Sequence, residues 1–206
     1  MFRLRTLVLV PLVILAMGRV ALAAPILFTA FLNSAQENNP ANTSTASGFA
    51  TFTLNDAQTA LTWTATIFGL DFTGTQTAPT GDNLTNAHIH NAPAGSNGGV
   101  VWGFIGAPFN DNNPNDTVVT PFSSGVGGTV SSKWDLPEGN GGQTLATQLP
   151  SLLAGNNYIN FHTNQFAGGE IRGQILQTAS HTVPEPATLA LLGIGLAVVG
   201  LRRKTS

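Results

Sequence analysis

Leu61, Trp63, Ala65 and Ile67 alternate with Thr62, Thr64 and Thr66, and a period of two is that of a strand with one buried and one solvated face. Asn55 to Thr59 supplies turn formers, so the run is expected to fold back on Phe49 to Leu54 as a hairpin. Ala87 to His90, Val100 to Ile105, Gly128 to Trp134, Tyr158 to Thr163 and Glu170 to Leu176 are further strand candidates, separated by clusters of Gly, Asn and Pro. One helix is expected from about Thr144 to Ala154, with Gly155 as its stop. Many short strands with regular turn signals and no internal repeat predict an all-β domain, a Greek-key β-sandwich or barrel.

The two ends follow other patterns. Arg3 and Arg5 precede an apolar run from Leu7 to Met17, and Ala21-Leu22-Ala23 forms a small-residue cleavage signal. This is the order of a secretory signal peptide over residues 1–23, removed after Ala23. A β domain over 24–179 follows. In the tail, residues 180–206, a linker leads to Val183-Pro184-Glu185-Pro186, an apolar segment from Ala187 to Leu201, and Arg202-Arg203-Lys204. A helix of about 15 residues is only ~22 Å long, short of a ~30 Å hydrocarbon core. The terminal cations hold its end in the cytoplasm and leave the domain outside.

That triplet, apolar segment and basic stop closely resemble the PEP-CTERM sorting signal. The resemblance implies a Gram-negative bacterium and processing by an exosortase near Pro184, Glu185 and Pro186. It also implies transient anchoring in the inner membrane through the single apolar sorting helix, then passage to the cell surface or an exopolysaccharide matrix. A permanent single-span anchor predicts the same topology.

Charge and cysteine content narrow the classes. Of the eight lysines and arginines, only Lys133 and Arg172 lie between the terminal segments, against nine of the ten carboxylates. A surface this acidic repels phosphate backbones and excludes nucleic acid as a partner. With no cysteine in the chain there are neither disulfides nor thiolate metal sites. The runs Gly125 to Gly128 and Gly139 to Gly142 lack the lysine and strand-to-helix context of a phosphate loop and read as turns.

Two ordered blocks carry a second resemblance. Ala87-His88-Ile89-His90-Asn91-Ala92-Pro93-Ala94-Gly95 runs on to Gly98-Gly99-Val100-Val101. The other block joins Leu153-Ala154-Gly155, Tyr158-Ile159-Asn160-Phe161-His162-Thr163 and Gly169-Glu170-Ile171-Arg172-Gly173-Gln174-Ile175. Together with Glu37, Pro40 and Gly48 they resemble the CHRD domain, named from chordin, over roughly residues 28 to 177. This second resemblance implies little mechanism by itself. With the export signals, the chain is expected to be a non-enzymatic surface or matrix protein whose domain is a structural or interaction module, with the export machinery, an exosortase and exopolysaccharide or other surface proteins as partners. The alternative is a metal-binding surface or periplasmic protein with redox activity. A polar insert from Thr73 to Thr85 departs from the family pattern and is expected to form an extended loop.

Strand alternation places His88 and His90 on one face with Ala87 and Ile89 opposite, and Asn160 and His162 on one face with Ile159 and Phe161 opposite. Glu170, Arg172 and Gln174 likewise oppose Ile171 and Ile175. The register that keeps these apolar residues together sets His162 opposite Glu170 and Asn160 opposite Arg172, with 164–168 as a loop. It predicts a cluster of His88, His90 and His162 with Glu170 behind it. Neutral imidazoles with a carboxylate orienting one of them suit Cu(II) or Zn(II). The His-x-His pair is also similar to that of copper,zinc superoxide dismutases, but the chain lacks their cysteine pair and an evident bridging histidine. The reading preferred from the sequence is that the histidines, Asn160, Glu170 and Arg172 form a buried hydrogen-bond network that pins strands together, since buried polar groups must be satisfied.

Overall fold

In the computed structural model, which describes residues 24–178, the alternation around Trp63 becomes a strand whose odd positions are buried and even positions open. The signal peptide and sorting tail read from the two ends lie outside the described residues. Ten strands form among the described residues: β1 (Ile26–Asn33), β2 (Ser47–Leu54), β3 (Ala60–Phe68), β4 (Leu84–Asn91), β5 (Gly99–Ile105), β6 (Val118–Pro121), β7 (Gly127–Asp135), β8 (Asn157–Thr163), β9 (Ile171–Gln174) and β10 (Leu176–Gln177). One α-helix among the described residues, α1 (Leu145–Leu153), precedes β8. Gly155 stops it, with the positive φ of 72° that glycine adopts without strain. Among the described residues, no helix is long and apolar enough to cross a membrane.

The strands make one antiparallel sheet in the order β5-β4-β8-β9-β1-β2-β3-β7-β6, with β10 also on β1. The sheet curls into a half-barrel, and its aromatic residues show why. Trp102 on β5, at one end of that order, stacks on Trp134 of β7 near the other end, with ring centroids 5.5 Å apart. Trp102 also meets Trp63 edge to face at 6.3 Å. Phe28, Phe52, Phe104 and Phe161 fill the space between, so one wall of every long strand packs into a shared core.

The two halves of the sheet differ on their other wall. On β2 and β3 it is open, with Thr51, Thr53, Thr62 and Thr64 exposed. On β8 every residue from Asn157 to Thr163 is buried, so connections must cover the wall that carries Tyr158, Asn160 and His162. This covering creates the site described below.

Two strands and one loop depart from the sequence reading. β1 is a nearly continuous apolar run without alternation, because Leu27 and Phe31 remain on its open wall, Phe31 at 68% exposure. β6 is a short edge strand exposed at all four positions. The polar insert is folded rather than extended. Buried Asp71 accepts from the backbone N–H groups of Thr73, Gly74 and Thr77. Burial alone would raise its pKa, and those donors outweigh it to hold the carboxylate below its ordinary range.

Candidate metal centre

β8 is hydrogen-bonded between β4 and β9, and the register sets the chemistry. His88 lies opposite Asn160, His90 opposite Tyr158 and Asn86 opposite His162, while Asn160 faces Arg172 on the other side. His88, His90 and His162 therefore share one wall of the sheet. They are 5%, 8% and 7% exposed. Each is covered by a different connection, and each connection turns a backbone carbonyl onto one ring nitrogen. Gly98 O sits 3.0 Å from His90 Nδ1, Ala107 O 3.1 Å from His88 Nε2, and Ala167 O 3.0 Å from His162 Nδ1.

A carbonyl oxygen only accepts, so each contacted nitrogen carries the ring's proton and the other nitrogen of a neutral ring carries a lone pair. The lone pairs then belong to His88 Nδ1, His90 Nε2 and His162 Nε2. The three histidines present a ligand atom each, all within 4.8 Å of one another. His88 Nδ1 and His162 Nε2 are 3.2 Å apart, and His90 Nε2 is buried with no protein partner. In neutral rings, nothing in the protein bridges these lone pairs.

A proton, a water molecule or a metal ion can fill that gap, and the electrostatics disfavour the proton. Burial first, then neighbouring His162 and His90, push His88 down to about 4. Burial likewise takes His90 to about 4 despite its bond to Gly98, with His162 and Arg172 adding repulsion. Burial also lowers His162. At neutral pH the rings are uncharged and their lone pairs are available. Imidazole nitrogens ~2.1 Å from a tetrahedral ion are about 3.4 Å apart, close to the separation between His88 and His162. Full coordination asks the widest pair to close by at most ~1.5 Å on the same geometry.

The surroundings hold this arrangement in place. His90 stacks on Tyr158, centroids 4.9 Å apart and planes 8° from parallel, and the Arg172 guanidinium carbon lies 4.3 Å from the centre of the Tyr158 ring. Arg172 Nη1 donates to Ser96 O at 2.9 Å and to Asn97 Oδ1 at 3.3 Å. Gly98 N donates to Tyr158 Oη, so the loop that covers His90 is tied to the same stack. Two surface concavities, one beside Thr45 and Phe166 and one beside Thr62 and Lys133, do not include the histidines.

Glu170 is not behind His162. Its carboxylate accepts from Thr163 Oγ1 and, at 2.5 Å, from Ser44 Oγ. The β8–β9 ladder ends at the pair Phe161–Ile171. Beyond it, the Glu170 side chain leaves the histidine wall, and Ala167 O orients His162 instead. A carboxylate that does lie beside the centre's supporting residues is Glu37, whose place in a polar loop far along the chain gives no period-two signal. Burial raises Glu37 to about 7, against the pull of the Arg172 guanidinium and the Asn160 amide. Gly169 lies against both, since a Cβ there would come within 2.8 Å of Glu37 Oε1 and 2.7 Å of Asn160 Nδ2.

These groups pull stability in opposite directions. The histidines, lowered on folding, give stability that is complete above about 6.5 and declines as pH falls toward 4. Glu37, raised on folding from 4.5 to about 7, costs stability as pH rises through that interval. Glu37→Gln is therefore expected to stabilise the protein at pH 8 by about 1–2 kcal/mol and to match the wild type at pH 4. Urea unfolding at both pH values checks this, and a less stable variant at pH 8 would contradict it.

Comparison with protein-family models matches a CHRD domain over residues 28–175 and a PEP-CTERM protein-sorting motif over residues 182–204. No curated protein and no solved structure matches the chain significantly.

Proposed function

Since the chain belongs to the CHRD domain family and carries an export and surface-directed sorting signal, we propose that it is a metal-binding protein of the bacterial cell surface, holding copper or zinc on His88, His90 and His162. The observation that carries this reading is the convergence of three imidazole lone pairs, each fixed by a backbone carbonyl on the opposite nitrogen. Metal-bound histidines characteristically have their second nitrogen fixed in this way.

In this proposal the signal peptide is removed after Ala23 and the domain crosses the inner membrane of a Gram-negative cell. An exosortase then processes the tail near Pro184-Glu185-Pro186 and releases the domain to the surface. There the domain acts by binding, as a rigid module among exopolysaccharide and other surface proteins. The fully engaged carboxylate of Glu138, which accepts from Trp102 Nε1 and from the backbone of Asn112, Asn113 and Asp135, supports that rigidity.

Protein recovered from the surface fraction of its host is expected to carry about one copper or zinc ion per chain, and His90→Phe recovered in the same way to carry none. Phe keeps a flat ring against Tyr158 and removes the ligand. Metal-free wild type that also fails to take up added Zn(II) or copper would overturn the metal reading. Protein confined to the cytoplasm with both termini intact would overturn the sorting.

A further inference from the structure

We infer that the three-histidine centre holds copper as Cu(I) in preference to Cu(II) and Zn(II), an inference that rests on the metal-binding reading above. The donor set is neutral throughout. Glu170 is engaged by Thr163 and Ser44, and neither it nor Glu37 belongs to the group of converging ligand atoms. Nothing in the ligand set therefore cancels an ion's charge. The only permanent charge built into the surrounding stack is positive, the Arg172 guanidinium above Tyr158.

The cost of burying an ion rises with the square of its charge, and a dication's cost is repaid only by anionic partners. In a wall whose histidines are no more than 8% exposed, univalent copper is the cheapest of the three ions to desolvate. Coordination number points the same way. Three donors converge, and no fourth histidine, cysteine or carboxylate among the described residues joins the group. Zn(II) prefers four ligands and Cu(II) a tetragonal set, whereas a closed-shell monovalent ion is satisfied by three nitrogens. The carbonyls of Gly98, Ala107 and Ala167 keep the rings from turning to supply any other geometry.

Competition against bicinchoninate under anaerobic, ascorbate-reduced conditions gives the Cu(I) affinity of the purified full chain. Competition against nitrilotriacetate gives those of Cu(II) and Zn(II). The expected result is binding of Cu(I) at least tenfold tighter than of either dication, lost in His90→Phe. Should that variant fail to fold by circular dichroism, His162→Asn replaces it, since its amide nitrogen takes the place of Nδ1 and can still donate to Ala167 O while the Nε2 ligand is lost. Cu(II) or Zn(II) bound as tightly as Cu(I), and still lost in the variants, would overturn this inference and leave the metal centre standing. Failure of all three ions to bind the wild type, or binding that persists in both variants, would overturn both.

Discussion

Arg172→Ala is expected to destabilise the protein by about 3–5 kcal/mol, the range for removing one member of a buried charged network. Arg172 is 1% exposed and among the largest fully buried side chains. Truncation removes the donor to Ser96 O and Asn97 Oδ1 and the cation that lies over Tyr158, and it opens a cavity. Each orphaned acceptor adds about 1–3 kcal/mol if water does not replace the donor. Arg172→Lys should recover less than half of the loss, because an ammonium cannot lie flat on the ring and reach both acceptors. Urea unfolding at pH 7 measures both variants. A loss under ~1 kcal/mol for Arg172→Ala would show that the stack is ornamental rather than structural.

The same residue shows what the sequence makes legible. Period two put Arg172 on the wall with Glu170 and Gln174, and the core requirement of Ile159, Phe161 and Ile171 gave the observed pairing of Asn160 with Arg172. His88, His90 and His162 came together for the same reason, because a one-residue slip would bury polar side chains in the core. What alternation cannot carry is the part made by connections. The three carbonyls that fix the ring tautomers belong to Gly98, Ala107 and Ala167, in loops without periodicity. Glu170 turns away because the ladder stops one residue before it, and ladder ends are set by loop packing rather than by pattern. β1 was hidden for another reason, since apolar residues on both of its walls leave no period to read.

Metal is expected to stabilise the wild type by about 4 kcal/mol when free ion exceeds its dissociation constant a thousandfold, because an ion that binds only the folded state adds its binding free energy by mass action. For a domain of this size, that corresponds to a rise in Tm of roughly 10 °C. His90→Phe should show no rise, whatever its metal-free stability loses because the Gly98 carbonyl has lost its donor. A hydrogen-bond network without metal predicts that the wild type does not respond to the ion either.

X-ray absorption at the metal edge tests the claim that His88, His90 and His162 share one ion most directly. The account predicts three imidazole nitrogens at about 2.0–2.1 Å in the loaded wild type, and no such shell in His90→Phe. A shell of oxygen ligands alone, or an imidazole shell that the variant leaves unchanged, would contradict it.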